Sequence, residues 1–195
     1  MSVAAVVLAA GASTRLGEPK QLVRLGGETL LERAVRVARE AWCEPVVVVL
    51  GASAAVIQQE CRLGDARVVV NEDWASGMGG SIGVGVRTLK DVDGCVVMTC
   101  DMPAVTASHL RALMEGRDAG EVVASSYAGR RGVPAYFPAS SFVELKAVRG
   151  DVGARGVLQG AKCVELVGGE LDVDAAGDLE RVRELFDVRE GFSFD

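Results

Sequence analysis

Short apolar runs alternate with amphipathic segments along the first 115 residues, and this alternation constrains the fold more than any other feature of the chain. The apolar runs have the length and β-branched content of buried strands, whereas apolar residues recur at helical spacing in the segments between them. The pattern predicts strands at 3–9, 45–50, 67–70 and 94–100, with helices at 28–41, 53–63 and 106–115. Consecutive βα units imply parallel strands, right-handed crossovers and helices on both faces of one sheet.

The second half of the chain has a different pattern. The runs 121–127 and 132–137 are separated by Gly-Arg-Arg-Gly, which predicts a β-hairpin. A helix from about Ser140, a strand at 163–167 and a helix at 178–187 complete the expected elements. No repeat or flexible linker divides the chain. We therefore predict a single domain over residues 1–195, a Rossmann-like three-layer α/β sandwich with a mostly parallel sheet and an antiparallel hairpin in its C-terminal half.

Composition excludes several classes of protein. The formal net charge of −6 disfavours general nucleic-acid binding but allows an anionic small molecule that is held by local cations. No apolar run approaches the ~18 residues of a membrane span, and no basic segment starts the chain, so we expect neither a membrane span nor a signal peptide. The five cysteines follow no disulfide or zinc pattern, which indicates a reducing compartment and a cytoplasmic protein.

The loop after the first strand is the most unusual stretch, and ligands of open α/β sheets bind beyond the carboxyl ends of the strands. It reads VVLAAGASTRLGEPKQL at 6–22. Ala10 and Gly11 permit close approach of a ligand to the backbone, while Arg15 and Lys20 supply a planar fork and a point charge for a polyphosphate. The P-loop and the dinucleotide fingerprint both fail here, because their glycine spacings are absent.

The order of residues in this loop resembles the signature L-A-A/G-G-x-S-x-R-x-G-x-x-K of the nucleotidyltransferases related to molybdenum cofactor biosynthesis. The match has no insertion and uses Leu8, Ala9, Ala10, Gly11, Ser13, Arg15, Gly17 and Lys20. The resemblance implies that Arg15 and Lys20 hold the phosphates of a nucleoside triphosphate and act in catalysis. It also implies that nucleotide contacts come from Leu8, Ala9, Ala10 and Gly11. The resemblance extends over about residues 3–185.

The glycine-rich stretch 71–86 follows the third strand and resembles the family segment N-x-x-W-x-x-G-M-x-x-S-I. The matching residues are Asn71, Trp74, Gly77, Met78, Ser81 and Ile82. The resemblance implies that Asn71, Gly77 and Ser81 bind the nucleotide on its base side, whereas Trp74 fits a core anchor equally well. Taken without the resemblance, the stretch predicts a loop that leads into a tightly packed helix with N–H groups available at its N-terminus.

An aspartate closes the fourth strand, in TCDMP at 99–103. A carboxylate at this edge of the sheet suits a Mg²⁺–triphosphate complex, and the D-M-P triplet resembles the metal-binding aspartate of the family. We therefore predict that Asp101 binds Mg²⁺ and acts in catalysis. His109, the one histidine of the chain, is expected to be a surface or capping residue.

A second candidate metal ligand lies in LDVDAAGDL at 171–179, which resembles the family segment D-x-D-T-P-E-D-L. The resemblance implies that Asp174 lies near the metal. We expect Asp172 and Asp174 to occupy alternating positions on one face of a strand, and Asp178 to be a helix N-cap. Ala-Ala-Gly replaces Thr-Pro-Glu at 175–177, so the chain departs from the family segment directly after Asp174.

Two further stretches resemble family segments that contribute to the pocket of the second substrate, G-x-P-x-x-F and G-D-x-G-A-R. The matching residues are Gly132, Pro134, Phe137, Gly150, Asp151, Gly153, Ala154 and Arg155. Each stretch alone also fits a hairpin or the start of a helix.

The resemblance implies a Mg²⁺-dependent nucleotidyltransferase. Members with L-A-A-G tend to be cytidylyltransferases, so Ala10 favours CTP as donor and molybdopterin as acceptor. An acceptor molybdoenzyme or its chaperone would be a further partner. Alternatives remain a guanylyltransferase, a sugar-phosphate or isoprenoid-precursor nucleotidylyltransferase, a nucleotide-binding module without catalysis, and a dinucleotide-dependent oxidoreductase.

Overall fold

Nine strands and six helices are defined in residues 2–116, 120–150 and 154–190, the parts of the chain that the computed structural model describes; for 185–190 this covers the backbone alone. The strands are β1 (Val3–Ala9), β2 (Arg24–Leu25), β3 (Glu28–Thr29), β4 (Val46–Leu50), β5 (Arg67–Val70), β6 (Gly94–Thr99), β7 (Val123–Tyr127), β8 (Arg130–Pro138) and β9 (Lys162–Glu165). The helices are α1 (Leu30–Glu40), α2 (Ala54–Glu60), α3 (Met78–Arg87), α4 (Ala107–Glu115), α5 (Phe142–Ala147) and α6 (Ala176–Glu190).

Seven of the strands form one sheet in the order β5-β4-β1-β6-β8-β7-β9. β1 lies in the middle of a parallel half, between β4 and β6, as the alternation of strands and helices predicts. β8 runs antiparallel to both β6 and β7, and β9 pairs in parallel with β7. The prediction of a mostly parallel Rossmann-like sheet with an antiparallel hairpin is confirmed.

The hairpin turn lies earlier than the sequence pattern predicts. Tyr127 pairs with Arg130, so the turn consists of Ala128 and Gly129 and not of Gly-Arg-Arg-Gly. Both turn residues have positive φ, 48° and 72°, which matches the twist of a two-residue hairpin turn. The two arginines therefore begin the long strand β8.

The helices form two layers, because successive side chains of β1 point to opposite faces of the sheet. Val3, Ala5, Val7 and Ala9 join the core that α1, α2 and α4 cover, whereas Ala4, Val6 and Leu8 join the core that α3 and α5 cover. Gly85 of α3 lies so close to the sheet that a Cβ atom there would stand 2.5 Å from Val6 Cγ1. The glycine therefore lets α3 pack directly on β1.

Local capping decides where two of the helices begin. Thr29 and Glu32 form a capping box, with Thr29 Oγ1 accepting from Glu32 N at 3.1 Å and Glu32 Oε2 accepting from Thr29 N at 2.8 Å. Helix α1 therefore starts after Thr29. Thr106 caps α4 as the sequence suggests, whereas Ser53 makes no side-chain capping bond at the start of α2. No helix in the described part of the chain has both the length and the apolar character to cross a bilayer.

Candidate active site

The loop after β1 is held from inside by side-chain and backbone hydrogen bonds. Gln21 Nε2 donates to Ala9 O at 2.8 Å and to Gly11 O at 3.0 Å, and Ala52 N donates to Ala10 O at 3.0 Å. Consecutive carbonyl groups of the loop are therefore turned into the protein. The Ser13 hydroxyl accepts from Lys20 N at 3.0 Å, which closes the loop on itself. Leu8 O accepts from Cys100 N at 3.2 Å, so the carbonyl group of Leu8 belongs to the sheet.

Lys20 forms the centre of a charge cluster at the carboxyl ends of β1 and β6. Its Nζ lies 2.5 Å from Asp101 Oδ2 and 2.8 Å from Asp174 Oδ1. Arg15 Nη2 reaches the other oxygen of Asp174 at 2.6 Å. The side chain of Arg15 is 72% exposed, whereas those of Lys20 and Asp101 are 17% and 12% exposed. The cluster thus joins two cations and two carboxylates from three separate stretches of the chain.

Asp174 reaches this cluster without belonging to a strand, which corrects the prediction that Asp172 and Asp174 alternate along one. Val173 N donates to Asp101 O at 3.0 Å, and the Val173 side chain is fully buried, so the segment is anchored directly beside Asp101. Asp178 Oδ2 accepts from Ala175 N at 2.8 Å and from Asp174 N at 3.3 Å.

Helix α6 begins at Ala176, so Asp178 stands within its first turn and caps it from there. The prediction that Asp178 is itself the N-cap residue is therefore wrong, because the N-cap position before Ala176 is Ala175. The substitution of Ala-Ala-Gly at 175–177 leaves Asp174 within the cluster, because the anchoring bonds are made by the backbone of Asp174 and Ala175 and by the Asp178 side chain.

The charges of this cluster shift the pKa values of Lys20 and Asp174. Burial alone would lower the pKa of Lys20, but the charges and hydrogen bonds of Asp101 and Asp174 outweigh it and raise that pKa. Burial would raise the pKa of Asp174, but Lys20 and Arg15 outweigh it and lower that pKa. Burial, together with the charges of Asp174 and Asp101, raises the pKa of Asp172.

Two of the residues predicted to bind the nucleotide on its base side, Asn71 and Ser81, contact each other. Asn71 Nδ2 donates to Ser81 Oγ at 3.0 Å, and both residues are buried. Gly77 precedes α3 with φ 112°, a conformation that favours glycine. Gly79 N donates to Gly150 O at 2.9 Å, so this amide at the start of α3 is occupied. Trp74 packs against Gly51, where a Cβ atom would lie 2.5 Å from Trp74 Cβ.

The residues predicted to contribute to the pocket of the second substrate differ in their burial. Pro134 O accepts from the Ser125 hydroxyl at 2.6 Å, and Phe137 is fully buried in β8, so both belong to the packing of the sheet. Gly132 leaves room for Tyr127, whose hydroxyl a Cβ atom would meet at 2.3 Å. Ala154 is buried and Arg155 is exposed. Asp151 and Gly153 lie outside the described residues.

His109 is not a surface residue, which corrects the prediction, and its side chain does not cap a helix. It is 8% exposed, and its Nε2 lies 2.8 Å from the Ser125 hydroxyl oxygen. The Ser125 hydroxyl donates to Pro134 O, so His109 Nε2 carries a proton and donates to Ser125. Burial lowers the pKa of His109. The imidazole therefore links α4 to β7 and β8 as a hydrogen-bond donor to Ser125.

Sequence reasoning did not identify Gln21 as part of the site. The one sequence signal for Gln21 is its position directly after Lys20, the last residue of the family signature. Both residues belong to the short 3-10 turn Lys20–Leu22.

A cavity of about 360 Å³ lies beside the N-terminal end of β4, around Trp42 and Pro45, and none of the predicted site residues lines it.

A divalent metal ion fits the donor set at Asp101 and Asp174. Hard cations such as Mg²⁺ take carboxylate oxygens and complete their shell with water and phosphate oxygens. These two carboxylates both reach one nitrogen atom, Lys20 Nζ, so they lie close enough to serve a common cation. No cluster of three or more His, Cys, Asp or Glu side chains capable of holding a metal occurs within the described ranges, so phosphate and water oxygens would supply the remaining ligands.

A Rossmann-like sheet with paired cations and carboxylates at the carboxyl ends of its strands defines an α/β protein of the nucleotide-binding class. Residues 5–166 match the model of the MobA-like NTP transferase domain, and the chain belongs to this family of nucleotidyltransferases.

Two sequence relatives and one solved structure show how much of the chain is similar to known proteins. The nicotine blue oxidoreductase of Paenarthrobacter nicotinovorans is 32% identical over 194 residues, which cover 94% of this chain and 95% of that protein. A probable molybdenum cofactor guanylyltransferase of Opitutus terrae is 37% identical over 131 residues, covering 60% of this chain and 59% of the relative. The crystal structure of Rv0371c from Mycobacterium tuberculosis superposes with a TM-score of 0.83 at 30% identity, over 94% of this chain and 98% of that chain. A further structure of Rv0371c is a complex with manganese.

Proposed function

We propose that this protein transfers a nucleoside monophosphate from a nucleoside triphosphate to a phosphorylated small molecule and releases pyrophosphate. The observation that carries the proposal is the position of the Lys20 ammonium group, whose Nζ lies 2.5 Å from Asp101 Oδ2 and 2.8 Å from Asp174 Oδ1. Arg15 pairs with Asp174 as well. Cations at this edge suit a triphosphate, and the carboxylate pair suits the divalent ion that accompanies it. Membership of the MobA-like NTP transferase family supports the same reaction.

The chemistry requires positioning and charge stabilisation, and no covalent bond to the protein. An acceptor phosphate oxygen forms a bond to the α-phosphorus while the bond to the β-phosphate oxygen breaks, and pyrophosphate leaves. Arg15 and Lys20 bind the phosphates and stabilise the charge that develops on pyrophosphate. Asp101 and Asp174 hold Mg²⁺, which when bound supplies neutralisation of the phosphate charge. The Arg15 side chain is 72% exposed, so a ligand in solvent can reach it.

We propose CTP as the nucleotide and molybdopterin as the acceptor. The support for CTP is the L-A-A-G form of the first loop, because family members with alanine at the position of Ala10 tend to be cytidylyltransferases. The relative from Opitutus terrae, a probable molybdenum cofactor guanylyltransferase, supports an acceptor of this kind. An acceptor molybdoenzyme or its chaperone is then the protein partner that would receive the product.

The proposal is tested by measuring binding and pyrophosphate release with each of the four nucleoside triphosphates, with Mg²⁺ or Mn²⁺ and molybdopterin. Lys20→Ala and Asp101→Ala should each lower the rate of pyrophosphate release at least about a hundredfold, because each removes a charge that the transition state needs. The matched control is Lys90→Ala, an exposed lysine that follows α3 outside the cluster, and its rate should equal that of the unchanged protein.

Each outcome separates the alternatives. Preference for GTP would replace the cytidylyl assignment and keep the reaction class. Tight nucleotide binding without pyrophosphate release would indicate a binding module. Activity that survives both Lys20→Ala and Asp101→Ala would contradict the assignment of the cluster as the active site.

A second candidate, a dinucleotide-dependent oxidoreductase, is favoured by one specific observation, the similarity to nicotine blue oxidoreductase over 94% of the chain. The loops at 9–17 and 77–83 both lack the G-x-G-x-x-G spacing that dinucleotide sites of the Rossmann type use. Titration with reduced nicotinamide dinucleotide, followed by its fluorescence, tests this candidate. Binding that CTP does not displace would favour the oxidoreductase.

A further inference from the structure

Gln21 is a buried polar residue that the proposed reaction does not use directly. Its side chain has no exposed surface, and its Nε2 donates to two carbonyl groups of the first loop, Ala9 O at 2.8 Å and Gly11 O at 3.0 Å. Its Oε1 has no hydrogen-bond partner among the described residues. A buried acceptor without a partner costs free energy, so the two hydrogen bonds that Nε2 donates must offset the cost of the unpaired Oε1.

The orientation of this amide follows from the groups around it. Rotating the amide by 180° would place Oε1 against the carbonyl oxygens of Ala9 and Gly11, which cannot donate a hydrogen bond. Only a side chain with two N–H donors on one atom satisfies both carbonyl groups. Glutamate, which has the same shape, would present acceptors to acceptors.

The two bonds determine which way the peptide groups of the loop face. In a planar trans peptide the C=O of one residue and the N–H of the next point in opposite directions. Because Gln21 draws in Ala9 O and Gly11 O, the N–H groups of Ala10 and Ala12 point away from the Gln21 side chain. Ala52 N draws in Ala10 O in the same way, so the N–H of Gly11 points away from Ala52.

This arrangement changes the electrostatic character of the loop surface. Carbonyl oxygens repel phosphate and N–H groups attract it, so a loop with inward carbonyls suits an anion. The backbone at Gly11 is open, since a Cβ atom there would meet nothing within 4 Å. Gln21 also belongs to the 3-10 turn Lys20–Leu22, so the same side chain fixes the base of the turn that carries Lys20.

We propose that Gln21 is a positioning residue for nucleoside triphosphate binding, which orients the N–H groups of the first loop and the turn of Lys20 toward the phosphates. This inference rests on the proposed function, since it assumes that the loop binds a nucleoside triphosphate. Its effect is on ground-state binding, because the oriented groups contact the nucleotide before and during the reaction.

The test compares Gln21→Met, which keeps the length and removes the donors, with Gln21→Glu and with the matched control Gln58→Met on the exposed face of α2. Dissociation constants for CTP and the other three triphosphates are measured by equilibrium titration, and KM and kcat by pyrophosphate release. We expect Gln21→Met to raise the dissociation constant and KM about tenfold or more with a nearly unchanged kcat. Gln58→Met should match the unchanged protein. A merely structural role would lower the folded fraction, which reduces the apparent kcat and leaves KM unchanged.

Gln21→Glu gives a second, independent measurement that is usable even where Gln21→Met does not fold. A protonated glutamic acid donates one hydrogen bond, so the affinity of this variant for CTP should recover toward that of the unchanged protein as the pH falls. Equal affinities in all variants, or no recovery at low pH, would overturn the role of Gln21. Absence of triphosphate binding by the unchanged protein would instead overturn the proposed function, and this inference with it.

Discussion

His109 illustrates at the scale of one residue how burial links a side chain to pH. Burial lowers the pKa of His109 in the folded protein, whereas in the unfolded chain the pKa lies near its ordinary value of about 6.5. As the pH falls through this value, the unfolded chain takes up a proton that the native imidazole does not bind. The contribution of His109 to the free energy of unfolding is therefore complete above about pH 6.5 and is lost as the pH falls below it.

We predict that His109→Gln removes this pH dependence. Glutamine retains an N–H donor for the Ser125 hydroxyl but does not titrate, and the chain contains no other histidine. The difference in free energy of unfolding between the unchanged protein and the variant should shrink below pH 6.5, by at most about 1.4 kcal/mol per pH unit. Urea unfolding at several pH values measures it. A difference that stays constant with pH would show that His109 is protonated or exposed in the folded state.

At the scale of the elements, the packing of α3 on the sheet depends on a missing side chain. A Cβ atom at Gly85 would lie 2.5 Å from Val6 Cγ1 and 2.9 Å from Val49 Cγ2, both in fully buried strands. We predict that Gly85→Ala lowers the free energy of unfolding by about 1–3 kcal/mol, because the cost of overpacking exceeds the gain in helix propensity.

The matched control for Gly85→Ala is Gly177→Ala, in the first turn of α6. A Cβ atom there would meet nothing within 4 Å, so the substitution only reduces the freedom of the unfolded chain. It should raise the free energy of unfolding by about 0.4–1 kcal/mol. Chemical denaturation of both variants gives the comparison, and stabilisation by Gly85→Ala would contradict the packing of α3 on β1 described above.

The elements also show what a sequence pattern predicts and what it does not. Apolar runs of β-branched residues predict the parallel strands well, because burial on both faces selects a continuous apolar strand. The sequence pattern places the hairpin turn too late, because Ala128 carries no turn signal although it adopts φ 48°. The segment around Asp172 looks like a strand from its alternation, but its backbone bonds to the Asp101 loop and not to a neighbouring strand. Such non-local pairings have no local sequence signal.

At the scale of the whole molecule, the charge cluster joins stretches that are far apart in the chain. Lys20 and Asp174 are separated by 154 positions, and Lys20 and Asp101 by 81. The family resemblance predicts that these residues belong to one site, but the ion pairs between them depend on the completed fold. The protein carries a net charge of −6, yet the cations within this site compensate its two carboxylates locally. We therefore expect Lys20 and a divalent metal ion to compete for these two carboxylates.

We predict that Lys20→Met binds Mn²⁺ more tightly than the unchanged protein when no nucleotide is present. The ammonium group lies 2.5 Å and 2.8 Å from the carboxylate oxygens that we propose as metal ligands. Its removal would free both carboxylates and would also remove a charge that repels the metal ion. The affinity should rise about tenfold or more, as measured by electron paramagnetic resonance of free Mn²⁺. Lys90→Met serves as the exposed control and should bind like the unchanged protein.

The nucleotide should narrow this difference in Mn²⁺ affinity, because phosphates draw the Lys20 ammonium group away from Asp101 and Asp174. In the unchanged protein, Mn²⁺ affinity should therefore increase when CTP is added, whereas in Lys20→Met the increase should be smaller, since no cation has to leave the carboxylates. By the same linkage Mn²⁺ should strengthen CTP binding more in the unchanged protein than in the variant. Equal Mn²⁺ affinities for the two proteins without nucleotide would mean that the metal binds elsewhere and that the Lys20 bridge is only a structural ion pair.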